Sequence, residues 1–179
     1  MLYPAQLYKQ ELSNAMTAKW YDPEFSWYFG GEHRVCEVPD NTDWRRDFVH
    51  LDVNGKVDGY FAYSFNNSDR NAHNFVLCAF TKFSRTFLRD CIKNVQDLFL
   101  YENCQRVEFE VFADNIKAVR LYERFRKKYN GTKLCTLHRN VYFNGEFHDT
   151  YIYEFLVENI RNFLTEDLNN EVKSKKEEI

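Results

Sequence analysis

The chain has 179 residues, of which 44% are hydrophobic, 18% aromatic and 28% charged. That length and apolar share suit one domain with a sizeable core and exclude an intrinsically disordered chain. Lys and Arg number 24 against 27 Asp and Glu, a formal net charge of −3, so no basic field marks DNA or RNA as a partner. No run of roughly 18 uncharged apolar residues predicts a membrane span. The opening eleven residues carry one lysine and no apolar core, unlike a secretory leader. A soluble, cytoplasmic protein is expected.

The cysteines fit that compartment. Cys36, Cys78, Cys91, Cys104 and Cys135 are odd in number and lack CxxC spacing, as reduced thiols do. The histidines at 33, 50, 73, 138 and 148 fall at neither i,i+4 nor HxH spacing, so no metal site is expected.

In chain order, residues 3–20 suit one helix, and Asp22-Pro23 breaks it before a short helical stretch at 24–29. Asn54-Gly55 lies between alternating segments at 47–53 and 57–65, which predicts an antiparallel hairpin. Residues 74–81 form a short apolar strand. Ser84 or Thr86 then caps a helix striped by Phe87, Leu88, Cys91, Ile92, Val95, Leu98 and Phe99, a 3.6-residue period. A strand follows at 106–112, with Val107, Phe109 and Val111 on one face and Glu108 and Glu110 on the other.

Asn115 precedes a second helix, residues 116–128, striped by Ile116, Val119, Tyr122 and Phe125 and stopped by Asn130-Gly131. Asn144-Gly145 joins a last hairpin, 134–143 with 146–155, and residues 156–164 extend its second strand or form a short helix. The charged stretch at 166–179 is expected to fray, leaving a single domain over residues 1–165. The β-α-β-α run predicts that the strands at 74–81 and 106–112 are parallel neighbours.

The stretch RVEFEVFADNIKAVRLYERF, residues 106–125, resembles the GCN5-related N-acetyltransferase (GNAT) superfamily, and within it the ribosomal-protein alanine acetyltransferase-like branch. That branch writes V-x-x-x-N into a helix N-x-x-A-x-x-L-Y-E-K-x-G-F. Val111, Asn115, Ala118, Leu121, Tyr122 and Glu123 match it, with Arg124 for lysine and Phe125-Arg126 for G-F. The run from Val141 to Asp149 is similar to its V-x-x-N-G-x-Y-H-D hairpin, and Gly59 sits at its I-G-Y-I glycine. The likeness covers about residues 46–155.

The resemblance implies a GNAT-like acyl-CoA N-acyltransferase fold of α+β class, a central mixed sheet flanked by helices. It implies acetyl-CoA as cosubstrate and no metal. Two parallel strands splay, and the pantetheine arm runs along residues 76–80, including Cys78 and Phe80. The phosphates rest on Lys82, Ser84, Arg85 and Thr86 at the next helix start, where free N–H groups and the macrodipole favour anions. Asn115 reaches the cofactor, and Tyr122, seven residues on and on the same helix face, protonates the departing thiolate. Direct attack by a primary amine in a ternary complex follows, the acceptor being a small molecule or a protein amine. A homodimer is compatible with this, and no nucleic-acid or membrane partner is implied.

The chain departs from the family at the phosphate loop, usually Q/R-x-x-G-x-G/A. Residues 82–87 read Lys-Phe-Ser-Arg-Thr-Phe, without glycine, so no residue there eases close approach of the backbone. The competing expectation is therefore a catalytically degenerate scaffold acting as an interaction module. Tyr122 also fits the helix stripe as plain core, and Asn115 fits as a cap. Glu108, Glu110, His73 and His138 are the candidates for a general base. His148-Asp149 reads as a structural pair, and the aromatics between Trp20 and Phe29 as packing or an acceptor pocket.

Overall fold

The computed structural model describes residues 1–22, 25, 38, 44–81 and 84–160. One mixed sheet holds seven strands: β1 Leu2–Pro4, β2 Arg45–Leu51, β3 Val57–Asn66, β4 Asn71–Ala79, β5 Arg106–Phe112, β6 Thr132–Phe143 and β7 Glu146–Leu156. Their order is β1-β2-β3-β4-β5-β7-β6. Among the described residues three α-helices accompany them, α1 Lys9–Thr17, α2 Arg85–Tyr101 and α3 Ile116–Lys128. β4 and β5 run parallel, and the other neighbouring pairs are antiparallel.

Local chemistry explains most boundaries. Asn144 and Gly145 carry φ of 52° and 88°, the two positive values that a tight type I′ hairpin needs. At the other hairpin Gly55 has φ 77°, and Asp52 Oδ1 accepts the N–H groups of Asn54 and Lys56. Ser84 Oγ caps α2 by accepting from Phe87 N at 3.1 Å, and Asn115 Oδ1 caps α3 by accepting from Ala118 N at 3.1 Å. Asn130, at φ 51°, closes α3. Gly131 is required for room, because a Cβ there would lie 2.5 Å from the Phe155 ring.

The N-terminus differs from expectation. In place of one helix over 3–20, β1 and a 3₁₀ turn, Ala5–Tyr8, precede α1. β1 is an edge strand in register with β2 through Leu2↔His50, and Pro4 ends it where a missing N–H costs nothing. Of the stretch expected to be helical at 24–29, only Phe25 is among the described residues, and the tail at 166–179 lies outside them. β7 ends at Leu156 and passes into a helical turn at 157–160.

Apolar side chains on the two sheet faces make two cores. On one face Phe61, Tyr63, Phe65, Ala72, Val107, Val111, Tyr153 and Phe155 pack under α2 and α3. On the other, Val49, Tyr60, Ala62 and Cys78 pack under Leu12 and Met16 of α1. The period of two divides the strands cleanly between them.

At its centre the sheet opens. β4 and β5 are in register only at Asn71↔Arg106 and Ala72↔Val107, and beyond those pairs they part as a fork. The cause is on β4: between Ala62↔Val76 and Ser64↔His73 the register against β3 shifts by one residue, and Asn74 there has φ 55°. That is a β-bulge, which bends its strand and increases its twist. It also reverses facing, so Ala72, Phe75 and Leu77 all reach the α2/α3 core.

Candidate functional site

The open fork and the two helix starts beside it bring together most of the residues singled out in the sequence. Phe80 N donates to Asp58 O at 2.9 Å. Alternation along an antiparallel ladder then turns the backbone groups of Val76, Cys78 and Phe80 toward β3, and those of Leu77 and Ala79 toward β5. The exposed edge is therefore offered by Leu77 and Ala79. Cys78 and Phe80 are buried on the α1 face and support that edge from behind, because the strand period leaves them one residue out of phase with the fork.

On the α2/α3 face the fork opens into an apolar cavity of about 70 Å³. Phe75 and Leu77 of β4 and Phe109 of β5 form its floor, with Cys91 of α2 and Tyr122 and Phe125 of α3 among its walls. The Phe75 and Phe109 rings, 4.4 Å apart, bridge the two prongs. Tyr122 stacks at 5.2 Å on Phe109 and 5.8 Å on Tyr153, so it belongs to the core as well as to the cavity wall. Its hydroxyl has no hydrogen-bond partner among the described residues. Burial, with a smaller contribution from Cys91, raises its pKa well above the ordinary 10.0, so it stays a proton donor throughout the neutral range.

At the mouth, α2 begins with Ser84, whose Oγ accepts from Phe87 N and shares a 3.1 Å hydrogen bond with Thr86 Oγ1. Ser84 is thus engaged as a cap. The N–H groups of Arg85 and Thr86 are left without a partner among the described residues, as the first amides of a helix must be unless a ligand takes them. Both side chains are exposed. Lys82 lies outside the described residues. The first turn of α2 is anchored from the sheet: Phe87 is buried against His50 at 5.3 Å, and His50 Nδ1 lies 2.6 Å from Asp58 Oδ1. Gly59 admits the Phe87 ring, since a Cβ there would lie 2.8 Å from it.

At the start of α3 Asn115 spends Oδ1 on Ala118 N, and its Nδ2 has no partner among the described residues. The preceding Asp114 holds this corner to β7 through His148 Nδ1 at 2.8 Å, while His148 Nε2 reaches Phe143 O at 3.2 Å. His148 and Asp149 therefore do not pair with each other. Neighbours on a strand face opposite ways, and Asp149 instead accepts from Arg139 N at 2.8 Å and lies 2.9 Å from His138 Nδ1. The Asp114 hydrogen bond raises the His148 pKa above 6.5. Its stabilisation is complete below the unfolded value and is lost as pH rises through the folded one. A falling Tm from pH 6 to 8, flattened in Asp114→Asn, is the expected melting behaviour. An unchanged slope in that variant would exclude the pair as its source.

The other candidates for a base stand on the α1 side of the sheet or on its rim. Glu108 pairs with Arg106 Nε at 3.1 Å, and Glu110 accepts from Asn140 Nδ2 at 2.8 Å. His138 is exposed and tied to Asp149. His73 is half-buried with its Nδ1 buried and unpartnered. Among the described residues no group of three His, Cys, Asp or Glu side chains is placed to hold a metal ion, and no helix is long and apolar enough to cross a membrane. Cys78, Cys91, Cys104 and Cys135 are free thiols.

No family model matches this sequence, and no curated protein does. Solved structures match it well. A spermidine N-acetyltransferase from Vibrio cholerae in complex with CoA and spermine superposes with a TM-score of 0.70 at 19% identity, over 89% of this chain and 96% of that one. A point mutant of the spermidine N-acetyltransferase SpeG from Vibrio cholerae gives 0.64 at 19% identity, over 88% and 95%. A spermidine/spermine N-acetyltransferase SpeG with manganese ions, also from Vibrio cholerae, gives 0.57 at 22%, over 68% and 71%. At such identities the likeness is one of fold, and the fold is that of the acyl-CoA N-acyltransferases.

Proposed function

We propose that this chain, built on an acyl-CoA N-acyltransferase fold, transfers an acetyl group from acetyl-CoA to a primary amine. The observation that carries the reading is the fork: two parallel strands paired over two residues and then open, with a free backbone edge at Leu77 and Ala79. The residues around it fit the cosubstrate. The edge matches an amide-bearing arm, the apolar cavity suits a thioester, and the free amides of Arg85 and Thr86 with the Arg85 side chain suit a pyrophosphate.

In this reading the fold supplies orientation, which contributes much of the acceleration when a bimolecular step becomes effectively unimolecular. Backbone N–H groups at the bulge polarise the thioester carbonyl. Tyr122 gives its proton to the sulfur as the carbon–sulfur bond breaks. A thiol normally has a pKa of about 8.5, but an apolar cavity penalises the thiolate as it penalises the phenolate. The burial that raises Tyr122 therefore raises the acid of the sulfur as well.

The acceptor is read as a small, positively charged amine. Glu108, Glu110 and Glu154 stand on the sheet face opposite α2 and α3, beside the fork, and the structural neighbours named above act on spermidine. The hairpin motif from Asn144 to Asp149 supports a second acceptor, the α-amine of an alanine-initiated protein. A side-by-side assay of spermidine and an alanine-initiated peptide separates the two. The cytoplasmic location expected from the free thiols belongs to the same proposal.

Thermal melting with acetyl-CoA tests the core of it. At about 100 times its Kd a ligand stabilises by about 2.7 kcal/mol, and a rise in Tm of several degrees is expected. No rise at millimolar acetyl-CoA or CoA would leave the glycine-free loop at 82–87 decisive and the degenerate scaffold as the better reading.

A further inference from the structure

The two prongs of the fork begin with a matched pair of polar residues. Ala72 and Val107, the last residues in register, both face the α2/α3 core. The next residue on each strand, His73 on β4 and Glu108 on β5, therefore faces the opposite side, where α1 lies. The pair stands immediately below the bulge at Asn74, at the crotch where a thioester at the end of the arm would lie. No ion pair joins the two side chains.

Their unused hydrogen-bonding capacity defines what they could bind. Among the described residues five buried side-chain polar atoms lack a partner, and three of them, Asp47 Oδ2, Asn71 Oδ1 and His73 Nδ1, belong to this one face of β2 and β4. Glu108 uses Oε1 on Arg106, and Oε2 has no partner among the described residues. Each is an acceptor, or for His73 Nδ1 becomes one in the appropriate tautomer. Buried acceptors left unpaired cost about 1–3 kcal/mol each, and a ligand with several N–H donors would satisfy them.

We propose that His73 and Glu108 receive the acceptor ammonium between them at the crotch of the fork, and that His73 Nδ1 removes its proton. This rests on the transferase reading above and names the base for that reaction. The ammonium gives one proton to His73, and the freed lone pair forms the carbon–nitrogen bond as the carbon–sulfur bond breaks. The nitrogen then loses a second proton. One of the two ends on the CoA sulfur by way of Tyr122, and the other leaves through the half-buried imidazole to solvent. Glu108 holds the cation without changing its own charge. The groups facing His73 are Ser64 opposite it on β3, Arg45 and Asp47 further along on β2, Arg106 and Glu108 across the fork, and Glu154 opposite Glu108 on β7.

The test is a pH series of kcat/KM for wild type, His73→Gln and Glu108→Gln with acetyl-CoA and, in turn, spermidine, butylamine and an alanine-initiated peptide. Thermal melting with acetyl-CoA is run on all three proteins. His73→Gln should lose about 100-fold at pH 7, in the range for a general base. The loss should shrink steeply toward pH 10, where roughly a quarter of an amine of pKa about 10.4 already arrives with its lone pair free. Glu108→Gln should raise KM about tenfold with kcat less affected. All three should keep the acetyl-CoA shift. A His73→Gln defect that is flat with pH, or smaller than about threefold at pH 7, would overturn the assignment while leaving the transferase intact. A wild type without an acetyl-CoA shift, or acetylating none of the amines, would overturn the transferase reading itself.

Discussion

Tyr122→Phe is expected to lower kcat by about 10²- to 10⁴-fold, the range for loss of a general acid, with acetyl-CoA affinity changed less than about twofold. The substitution keeps the ring that stacks on Phe109 and Tyr153 and removes only the hydroxyl, which bonds to no described residue. Folding therefore loses no hydrogen bond, and the apolar cavity gains an apolar wall, so Tm should hold or rise slightly. A residue that matters only by packing gives the opposite pattern, with full activity in the phenylalanine variant. Steady-state kinetics beside a melting curve distinguish the two. Equal, small losses in kcat and binding would remove Tyr122 from the chemistry.

Gly59→Ala is expected to damage stability and cosubstrate binding together. The new Cβ would stand 2.8–3.0 Å from three atoms of the Phe87 ring, closer than van der Waals contact allows. Phe87 is buried and rests on the sheet over Gly59 and its register partner His50, so the ring retreats by lifting away from the strands and moving the first turn of α2. Overpacking of this kind costs about 1–3 kcal/mol, and a domain of this size loses roughly 2–4 °C in Tm per kcal/mol. The same displacement carries the amides of Arg85 and Thr86 with it, so acetyl-CoA should bind about tenfold more weakly. A variant that melts lower yet binds acetyl-CoA normally would separate the helix start from the phosphate site.

The segments that the sequence resolved best are those whose signals are local. β5 and α3 fall where Val107, Phe109 and Val111 alternate and where Asn115 opens a 3.6-residue stripe, because side-chain periodicity and a cap act within a few residues. The two Asn-Gly turns were legible for the same reason. β1 was not, since three residues ending in Pro4 make a strand only by pairing with β2, and nothing in Leu2-Tyr3-Pro4 announces a partner over 40 residues away. The insertion of β7 between β5 and β6 was likewise a long-range pairing with no local mark.

The site divides along the same line. The positions of Tyr122, Asn115, Arg85 and Thr86 beside the fork follow from regular helices at fixed offsets, which local signals reveal. The resemblance places the arm along residues 76–80 with Cys78 and Phe80 named, whereas the backbone groups that face the fork are those of Leu77 and Ala79. The cause is the bulge at Asn74: it inserts one residue into β4 and reverses facing along the strand. An asparagine at the head of the apolar run 75–80, able to adopt positive φ, was the available signal. His73 gave less warning still, since its interest comes from a buried nitrogen without a partner, which only packing creates.

Acetyl transfer by this chain depends on an open backbone edge between β4 and β5 that accepts the arm of acetyl-CoA as a further strand. Amide hydrogen exchange at residues 75–79, with and without CoA, tests this most directly. The N–H groups of Leu77 and Ala79, which face the fork, should exchange quickly in the free protein and at least about tenfold more slowly with CoA. Those of Val76 and Cys78, already paired to β3, should change little. Equal protection of all four in the free protein, or no slowing at Leu77 and Ala79 in saturating CoA, would contradict it.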